Sequence, residues 1–339
     1  MKAKQLTIGV DLGATNLRIA AYTPESGMMS PVTLPTRVQA GPVAVVEDIC
    51  QQVRSLLRSH ACDVPPVGIG IGSPGPLELP AGRLHAPPNL PGWDQFNLRQ
   101  EVESRLGIPV VVDGDANVAA LAECALGAGR ESAVNSLCML TLGTGVGSGI
   151  VLNGRIFHGA TGMAAEAGHI TIDPDGPLCG CGNCGCLETL ASATALMRAW
   201  ERAVATAAPK GFAPQSNGDG AMTPGRLADA ARQGNFGARA IYTAAGHALG
   251  IGLAALINLL NLPLYVIGGG VSQSWDLLAP AVFEELHRRS YVYRLTVAGG
   301  PAANDLKNKG TQVIQARLGT EAGLLGACIL PLHSLPARS

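Results

Sequence analysis

Leu6-Thr7-Ile8-Gly9-Val10-Asp11-Leu12-Gly13-Ala14-Thr15-Asn16-Leu17-Arg18-Ile19-Ala20-Ala21-Tyr22 reads as two apolar strands, Leu6–Asp11 and Leu17–Tyr22, around a tight Gly/Thr turn. The pattern returns at Leu137–Leu142 and Ser148–Leu152, joined by Gly143-Thr144-Gly145-Val146-Gly147. Helices and further strands follow each copy. After the first come a helix at Gly41–His60, with Val45, Ile49, Val53, Leu56 and Leu57 on one face, and strands at Val67–Gly72 and Val110–Asp113. Asn117–Leu126 has a helical pattern, and Gly and Pro make Ser73–Pro91 a loop. After the second copy come helices at Thr189–Ala207 and Arg239–Leu260 and strands at Leu264–Gly268 and Val313–Arg317. A final helix is expected at Thr320–Leu332, and Pro209–Pro224 is expected to be a mobile surface loop. Strands with crossover helices build α/β units. Two copies predict a duplicated α/β fold with a cleft between its halves.

Composition agrees. At roughly 100–200 residues per domain, 339 residues make two or three domains. Charged residues are only 14% of the chain and the net charge is −1, so the basic footprint of a nucleic-acid binder is missing. An apolar content of 47% argues against disorder. The longest apolar stretch, Ala248–Leu262, is interrupted by Asn258 and Asn261 and followed by Pro263, whereas a membrane span needs about 20 clean apolar residues. Met1-Lys2-Ala3-Lys4-Gln5 runs straight into a strand with no apolar signal segment. A soluble, cytoplasmic protein without membrane or nucleic-acid partners is expected. Nine cysteines, an odd count, argue against a disulfide framework.

Three groups of residues carry chemistry. Asp11-Leu12-Gly13-Ala14-Thr15 and Leu142-Gly143-Thr144-Gly145 are turns in which backbone N–H groups and a Thr hydroxyl can approach an anion, while Asp11 could hold Mg²⁺ through water. No G-x-x-x-x-G-K-[ST] loop exists, and the G-x-G-x-x-G at Gly70, Gly72 and Gly75 is spoiled as a dinucleotide site by Pro74, Pro76 and Pro80. Cys179-Gly180-Cys181-Gly182-Asn183-Cys184-Gly185-Cys186, with His169 ten residues upstream, has the density of a metal site. Three cysteines and a histidine suit structural zinc, and four cysteines compete for the three places. An iron–sulfur site lacks the usual spacings, and a redox Cys181-x-x-Cys184 pair is a further alternative. The third group is Asp115, Glu166 and Glu188, carboxylates suited to accept hydrogen bonds from a polyhydroxylated ligand.

These residues resemble the ROK family of sugar kinases, and within it the bacterial ATP-dependent glucokinases. Cys179 through Glu188 matches the family's C-x-C-G-x-x-G-C-x-E motif without a gap, and Glu166-Ala167-Gly168-His169 matches its Glu-x-Gly-His element. Asp11–Thr15 and Leu142–Gly149 resemble its phosphate loops, Ile267-Gly268-Gly269-Gly270-Val271-Ser272 its adenosine motif, and Asp115-Ala116-Asn117-Val118-Ala119-Ala120-Leu121 the segment with the catalytic aspartate. The resemblance spans roughly residues 5–330.

The resemblance implies a duplicated ribonuclease-H-like fold, as in actin and hexokinase. It places a smaller domain at 1–116 plus the C-terminal helix at about 320–333, and a larger domain with the zinc site at 117–319. It implies ATP, Mg²⁺ and structural Zn²⁺, and a homodimer or dimer of dimers. Asp115 would be the general base. Gly75, Asn89, Asp115, Glu166, His169 and Glu188 would contact sugar. Asp11, Gly13, Thr15, Asn16, Gly143, Thr144, Gly145, Gly268, Gly269 and Gly270 would serve the nucleotide. His169, Cys179, Cys181 and Cys186 would bind zinc, leaving Cys184 spare.

Some positions depart from the family pattern. Asp113-Gly114-Asp115 replaces the usual Glu-Asn-Asp, Gly13-Ala14 replaces Gly-Gly, and Ala164-Ala165 stand where glycine is usual. Phosphorylation of the glucose 6-hydroxyl by ATP is the leading expectation. Other hexoses or N-acetylhexosamines, and polyphosphate as donor, are the near alternatives. A sugar-responsive repressor would carry an N-terminal helix-turn-helix, whereas a strand begins here by about residue 5. A zinc-stabilised binding protein without catalysis is the remaining reading.

Overall fold

The structure is a computed structural model that describes residues 5–59, 65–207, 221–300 and 310–335. Most of the expected 209–224 loop, together with His60 and Cys62, lies outside the described residues.

In chain order the first elements are β1 (Thr7–Leu12), β2 (Asn16–Thr23), β3 (Gly27–Pro35), α1 (Pro42–Ser59), β4 (Gly68–Ser73), β5 (Leu77–Glu78), β6 (Arg83–Leu84), α2 (Leu98–Leu106), β7 (Val110–Gly114) and α3 (Asp115–Ala125). Then come α4 (Ala128–Ser132), β8 (Leu137–Leu142), β9 (Val146–Leu152), β10 (Arg155–Ile156), α5 (Glu188–Ala191), α6 (Ala193–Ala207), α7 (Pro224–Arg232) and α8 (Phe236–Leu260). The last are β11 (Leu264–Gly268), α9 (Trp275–Arg289), α10 (Tyr291–Thr296), β12 (Gln312–Gln315) and α11 (Ala322–Ser334).

The expected duplication is present in the topology. One five-stranded sheet has the order β3-β2-β1-β4-β7 and the other β10-β9-β8-β11-β12. The first pairs β1 with β2 and β2 with β3 antiparallel, and β1 with β4 and β4 with β7 parallel. In the second, β10 lies antiparallel to β9, and β11 lies parallel to both β8 and β12. By compactness the chain divides into a first unit of Met1–Leu137, Gly149–Ala165 and Arg317–Ser339 and a second of Cys138–Ser148 and Glu166–Ala316, the division falling within β9.

In the first unit, one buried cluster joins Ile8, Val10, Ile69 and Ile71 of the sheet to Val46, Ile49 and Val53 of α1 and Val102 of α2. A second joins Ala20 and Tyr22 to Val118 and Leu121 of α3 and to Leu324 and Cys328 of α11. Helix α11 lies so close that a Cβ on Gly70 would overlap the Ala327 carbonyl, and one on Gly326 would overlap Val118 in α3. These missing side chains let the last helix return to the first sheet.

The second unit is built on α8. This helix is long and apolar enough to cross a membrane by length and composition. It is a core helix here: Ala245, Leu249, Leu253 and Ile257 are buried. Gly246 and Gly250, one turn apart, bring α8 against α9, where added Cβ atoms would sit 2.6 Å from the Leu278 carbonyl oxygen and 2.9 Å from that of Val282.

Several elements differ locally from their sequence expectations. Strand β3 lies outside the strands the sequence predicts; its Pro31 and Pro35 are tolerated because it lies at the sheet edge, where a missing N–H breaks no inner ladder. The helix expected at 189–207 breaks at Ser192, whose hydroxyl accepts the Ala195 N–H at 3.1 Å while the Ala193 N–H goes to the Gly143 carbonyl at 2.8 Å. His169 ends a single 3-10 turn, Ala167–His169. Pro224, expected to end a loop, begins α7 behind the capping hydroxyl of Thr223.

Helices α8 and α9 are also joined through Glu285, whose side chain is 1% exposed. His247 lies 2.9 Å from its Oε1, Arg289 Nε donates to Oε2 at 2.5 Å, and Arg288 bonds both oxygens. Burial alone pushes this carboxyl up, but the bonds from Arg288, Arg289 and His247 win and hold it down from 4.5 to about 2. A depressed carboxyl stabilises the fold above its unfolded pKa and stops doing so as pH falls through the folded one. Stability measured by denaturant titration should therefore decline from about pH 4.5 toward pH 2, and Glu285→Gln should remove that component.

Candidate functional site

In the first unit the parallel register sets the site. Asp11 of β1 lies opposite Gly72 of β4, and Gly72 opposite Asp113 of β7, all near the carboxyl ends of their strands. Carboxyl ends of parallel strands are where open α/β sheets hold ligands. Gly75 follows β4 in a Pro-Gly-Pro segment, and Asp115 follows β7 as the first residue of α3.

The β1–β2 turn is closed by the Gly13 N–H to the Asn16 carbonyl at 2.9 Å. Thr36 braces it, donating its N–H to Thr15 O at 2.8 Å and its hydroxyl to Gly13 O at 2.7 Å. Ala14, Thr15 and Asn16 are left exposed. Asp11 has Arg18 3.8 Å away, and a Cβ on Gly323 in the first turn of α11 would come within 3.2 Å of its Oδ2. Burial pushes the Asp11 carboxyl up to about 6; Arg18 opposes this, while the charges of Asp115 and Glu321 add to it. A carboxylate disfavoured by burial and by neighbouring anions is one that a cation would stabilise.

Asp115 is exposed, and its Oδ1 accepts the Ala116 N–H at 2.7 Å. Asn89 is exposed on a turn anchored by Leu90 and Trp93, both fully buried, with Trp93 edge-on to Phe96 at 5.3 Å.

In the second unit the glycine segments meet. Thr141 of β8 pairs in register with Gly268 of β11. Gly269, with φ +84°, packs so tightly that a Cβ would lie 2.5 Å from the Leu142 carbonyl oxygen. The structure thus brings Gly143, Thr144 and Gly145 beside Gly268, Gly269 and Gly270. The start of α6 holds the first of these loops, through Ala193 N–H to Gly143 O at 2.8 Å and the Thr194 hydroxyl to Thr144 O at 2.7 Å.

The cysteine segment folds back on His169. Side-chain ligand atoms of His169, Cys179, Cys181 and Cys186 all lie within 4.8 Å of one another, and Cys184 is outside the group. Cys179 Sγ is 3.6 Å from His169 Nδ1, and Cys181 Sγ is 3.7 Å from Cys186 Sγ. Zinc–sulfur bonds of about 2.3 Å in a tetrahedron would put sulfurs roughly 3.8 Å apart, so this donor set fits such an ion. Burial and the adjoining thiols push Cys186 up to about 12, while the Asn183 backbone bond lowers Cys181. A bound cation would relieve the crowding by displacing the thiol protons.

This cluster is tied to the loop at 143–148. Glu188, two residues after Cys186, accepts the Val146 N–H at 2.9 Å, and its carboxylate occupies the space beside Gly145 that a Cβ would need. On the other side, the Ala167 N–H bonds the Ser148 hydroxyl at 3.0 Å, and Gly168 leaves no room for a Cβ beneath the Val146 carbonyl. Glu166 is exposed at the head of the turn that carries His169. Glu166, His169 and Glu188 therefore sit around one loop.

A pair not singled out from the sequence is also present. His158 Nε2 is 2.7 Å from Oδ2 of Asp113, a carboxyl only 4% exposed. Asp113 departs from the family pattern, but nothing local in the sequence links it to a histidine 45 residues away.

The chain is similar to known proteins along nearly its whole length. The ROK family pattern matches residues 7–333. The glucokinase of Halalkalibacterium halodurans is 36% identical over 323 residues, covering 94% of this chain and 92% of its own. That of Streptomyces coelicolor is 38% identical over 333 residues, covering 96% and 97%. The crystal structure of a ROK family glucokinase from Streptomyces griseus in complex with glucose and AMPPNP aligns with a TM-score of 0.75 at 33% identity, covering 96% of this chain and 98% of that one.

Replacing Glu188 by Leu should strand the buried Val146 N–H, at a cost of about 1–3 kcal/mol. Faster hydrogen exchange at Val146 and a lower Tm are the expected readouts, and Glu188→Gln, which keeps an acceptor, should lose less.

Proposed function

Since the chain belongs to the ROK family, we propose that it is an ATP-dependent glucokinase that transfers the γ-phosphoryl group of ATP to the 6-hydroxyl of glucose. The observation that carries this reading is the row of strand ends in the first unit. It sets Asp11, Gly75 and Asp115 along one sheet edge, in a chain whose glucokinase relatives match it nearly end to end.

Phosphoryl transfer depends on positioning and charge neutralisation more than on covalent chemistry. Asp115 takes the proton of the attacking hydroxyl as its oxygen bonds the γ-phosphorus and the bond to the β,γ-bridging oxygen breaks, releasing ADP. General-base help of this kind is worth about 10²–10⁴-fold. With the Gly13 and Gly143 N–H groups closing their own turns, the exposed residues Ala14–Asn16 and Thr144, with Gly145, face phosphate oxygens, and Gly268–Gly270 admit the adenosine. Asp11 would hold Mg²⁺ through water, and that ion, when bound, neutralises phosphate charge. By the family resemblance, Asn89, the Gly75 backbone, Glu166, His169 and Glu188 are the sugar contacts. Zinc held by His169, Cys179, Cys181 and Cys186 is structural, because four protein ligands leave no open position. The family resemblance supports a homodimer, and consumption of ATP fits a cytoplasmic place.

Asp115→Ala should leave glucose binding measurable by calorimetry while kcat falls at least about 10²-fold in a coupled ADP-release assay. A near-normal kcat would sink the assignment. The same assay run across hexoses and N-acetylhexosamines, with ATP and polyphosphate as donors, tests whether Gly114 has altered the sugar.

A strong chelator should lower Tm and activity together, because the cluster ties both Glu188 and the His169 turn to the loop at 143–148. Active protein found free of zinc by elemental analysis would refute that role.

A further inference from the structure

Asp113 is the hub of the junction between β7 and α3. Its Oδ1 accepts the Gly114 N–H at 2.8 Å and the Asn117 side-chain amide at 2.9 Å, and its Oδ2 takes His158 Nε2 at 2.7 Å. Asp115 stands between Gly114 and Asn117 in the first turn of α3. Asp113 therefore holds that turn on both sides of the base. Gly114 brings no side chain of its own, and a Cβ there would only reach ordinary contact with the Asn117 amide, at 3.4 Å. Asn117 is buried, and its Oδ1 has no hydrogen-bond partner among the described residues, so its bond to Asp113 is what orients it.

A buried carboxylate needs a compensating donor or cation. His158, from the segment after β10, supplies one, and the bond to Asp113 lifts this imidazole above its ordinary value.

We propose that His158 is a positioning residue: by fixing the Asp113 carboxylate it sets the first turn of α3 and hence the Asp115 carboxyl that accepts the substrate proton. The inference rests on the reading of Asp115 as general base. The role assigned to His158 is exerted through Asp113. Its effect reaches the chemistry because small misplacements of a catalytic group are costly, about 10²-fold for 1 Å.

The test is steady-state kinetics on His158→Ala and His158→Gln, with each kcat corrected for folded fraction from thermal melts. His158→Ala should lower kcat about 10-fold or more while the KM values for glucose and ATP stay within about threefold, the signature of an interaction lost in the transition state rather than in binding. His158→Gln keeps an N–H for Asp113 and should recover most of the rate. In an Asp115→Ala background, His158→Ala should cost nothing further, because the group it positions is gone. The proposal is overturned by a kcat within twofold of wild type in His158→Ala, by equal losses in the Ala and Gln variants, or by an undiminished loss in the Asp115→Ala background. Failure of the underlying reading is seen separately, as near-normal turnover by Asp115→Ala alone.

Discussion

Parallel hydrogen bonding of β1, β4 and β7 is the constraint on which the first unit's chemistry depends. Because parallel strands run the same way, their carboxyl ends share one edge of the sheet, and the register sets Asp11, Gly72 and Asp113 in one row. The residues that follow those ends leave the ladder and are free to serve a ligand. Asp115 and the Gly75 segment owe their place to that register. So does the burial that keeps the Asp11 carboxyl from ionising easily.

The second unit uses the same arrangement differently. There the parallel pair β8 and β11 brings two glycine segments together, and glycine is needed because backbone meets backbone at Gly269. The loop so formed has little side-chain mass to hold it. Its support comes from outside: the start of α6, the Glu188 carboxylate and the turn carrying His169. Two of these three supports lead directly to the cysteine cluster. A cysteine cluster away from the strand ends is thus tied to a loop it does not contain.

Much of this was legible in local sequence because local sequence governs it. Apolar runs of strand length, glycines at turns and four cysteines in eight residues are properties of short windows, and the structure contains the elements they imply. Legibility ended where a neighbour decided the outcome. Strand β3 carries two prolines and is a strand only because it lies at an edge. The apparent single helix at 189–207 is two, because Gly143 claims the Ala193 N–H. His158 gave no signal, since its meaning lies wholly in Asp113.

The sequence by itself determined the doubled strand-turn-strand plan, the glycines of the turns, the sulfur-rich segment and a short roster of carboxylates made conspicuous by a chain only 14% charged. Only the tertiary structure decided which of these act together. Asp113 and His158 are 45 residues apart, Val146 and Glu188 are 42 apart, and α11 packs on the first sheet from the far end of the chain. Residue periodicity reports which face of an element is apolar; it carries no record of what packs there. That is settled by strand register and by the close approaches glycine permits, and both exist only once the chain has folded.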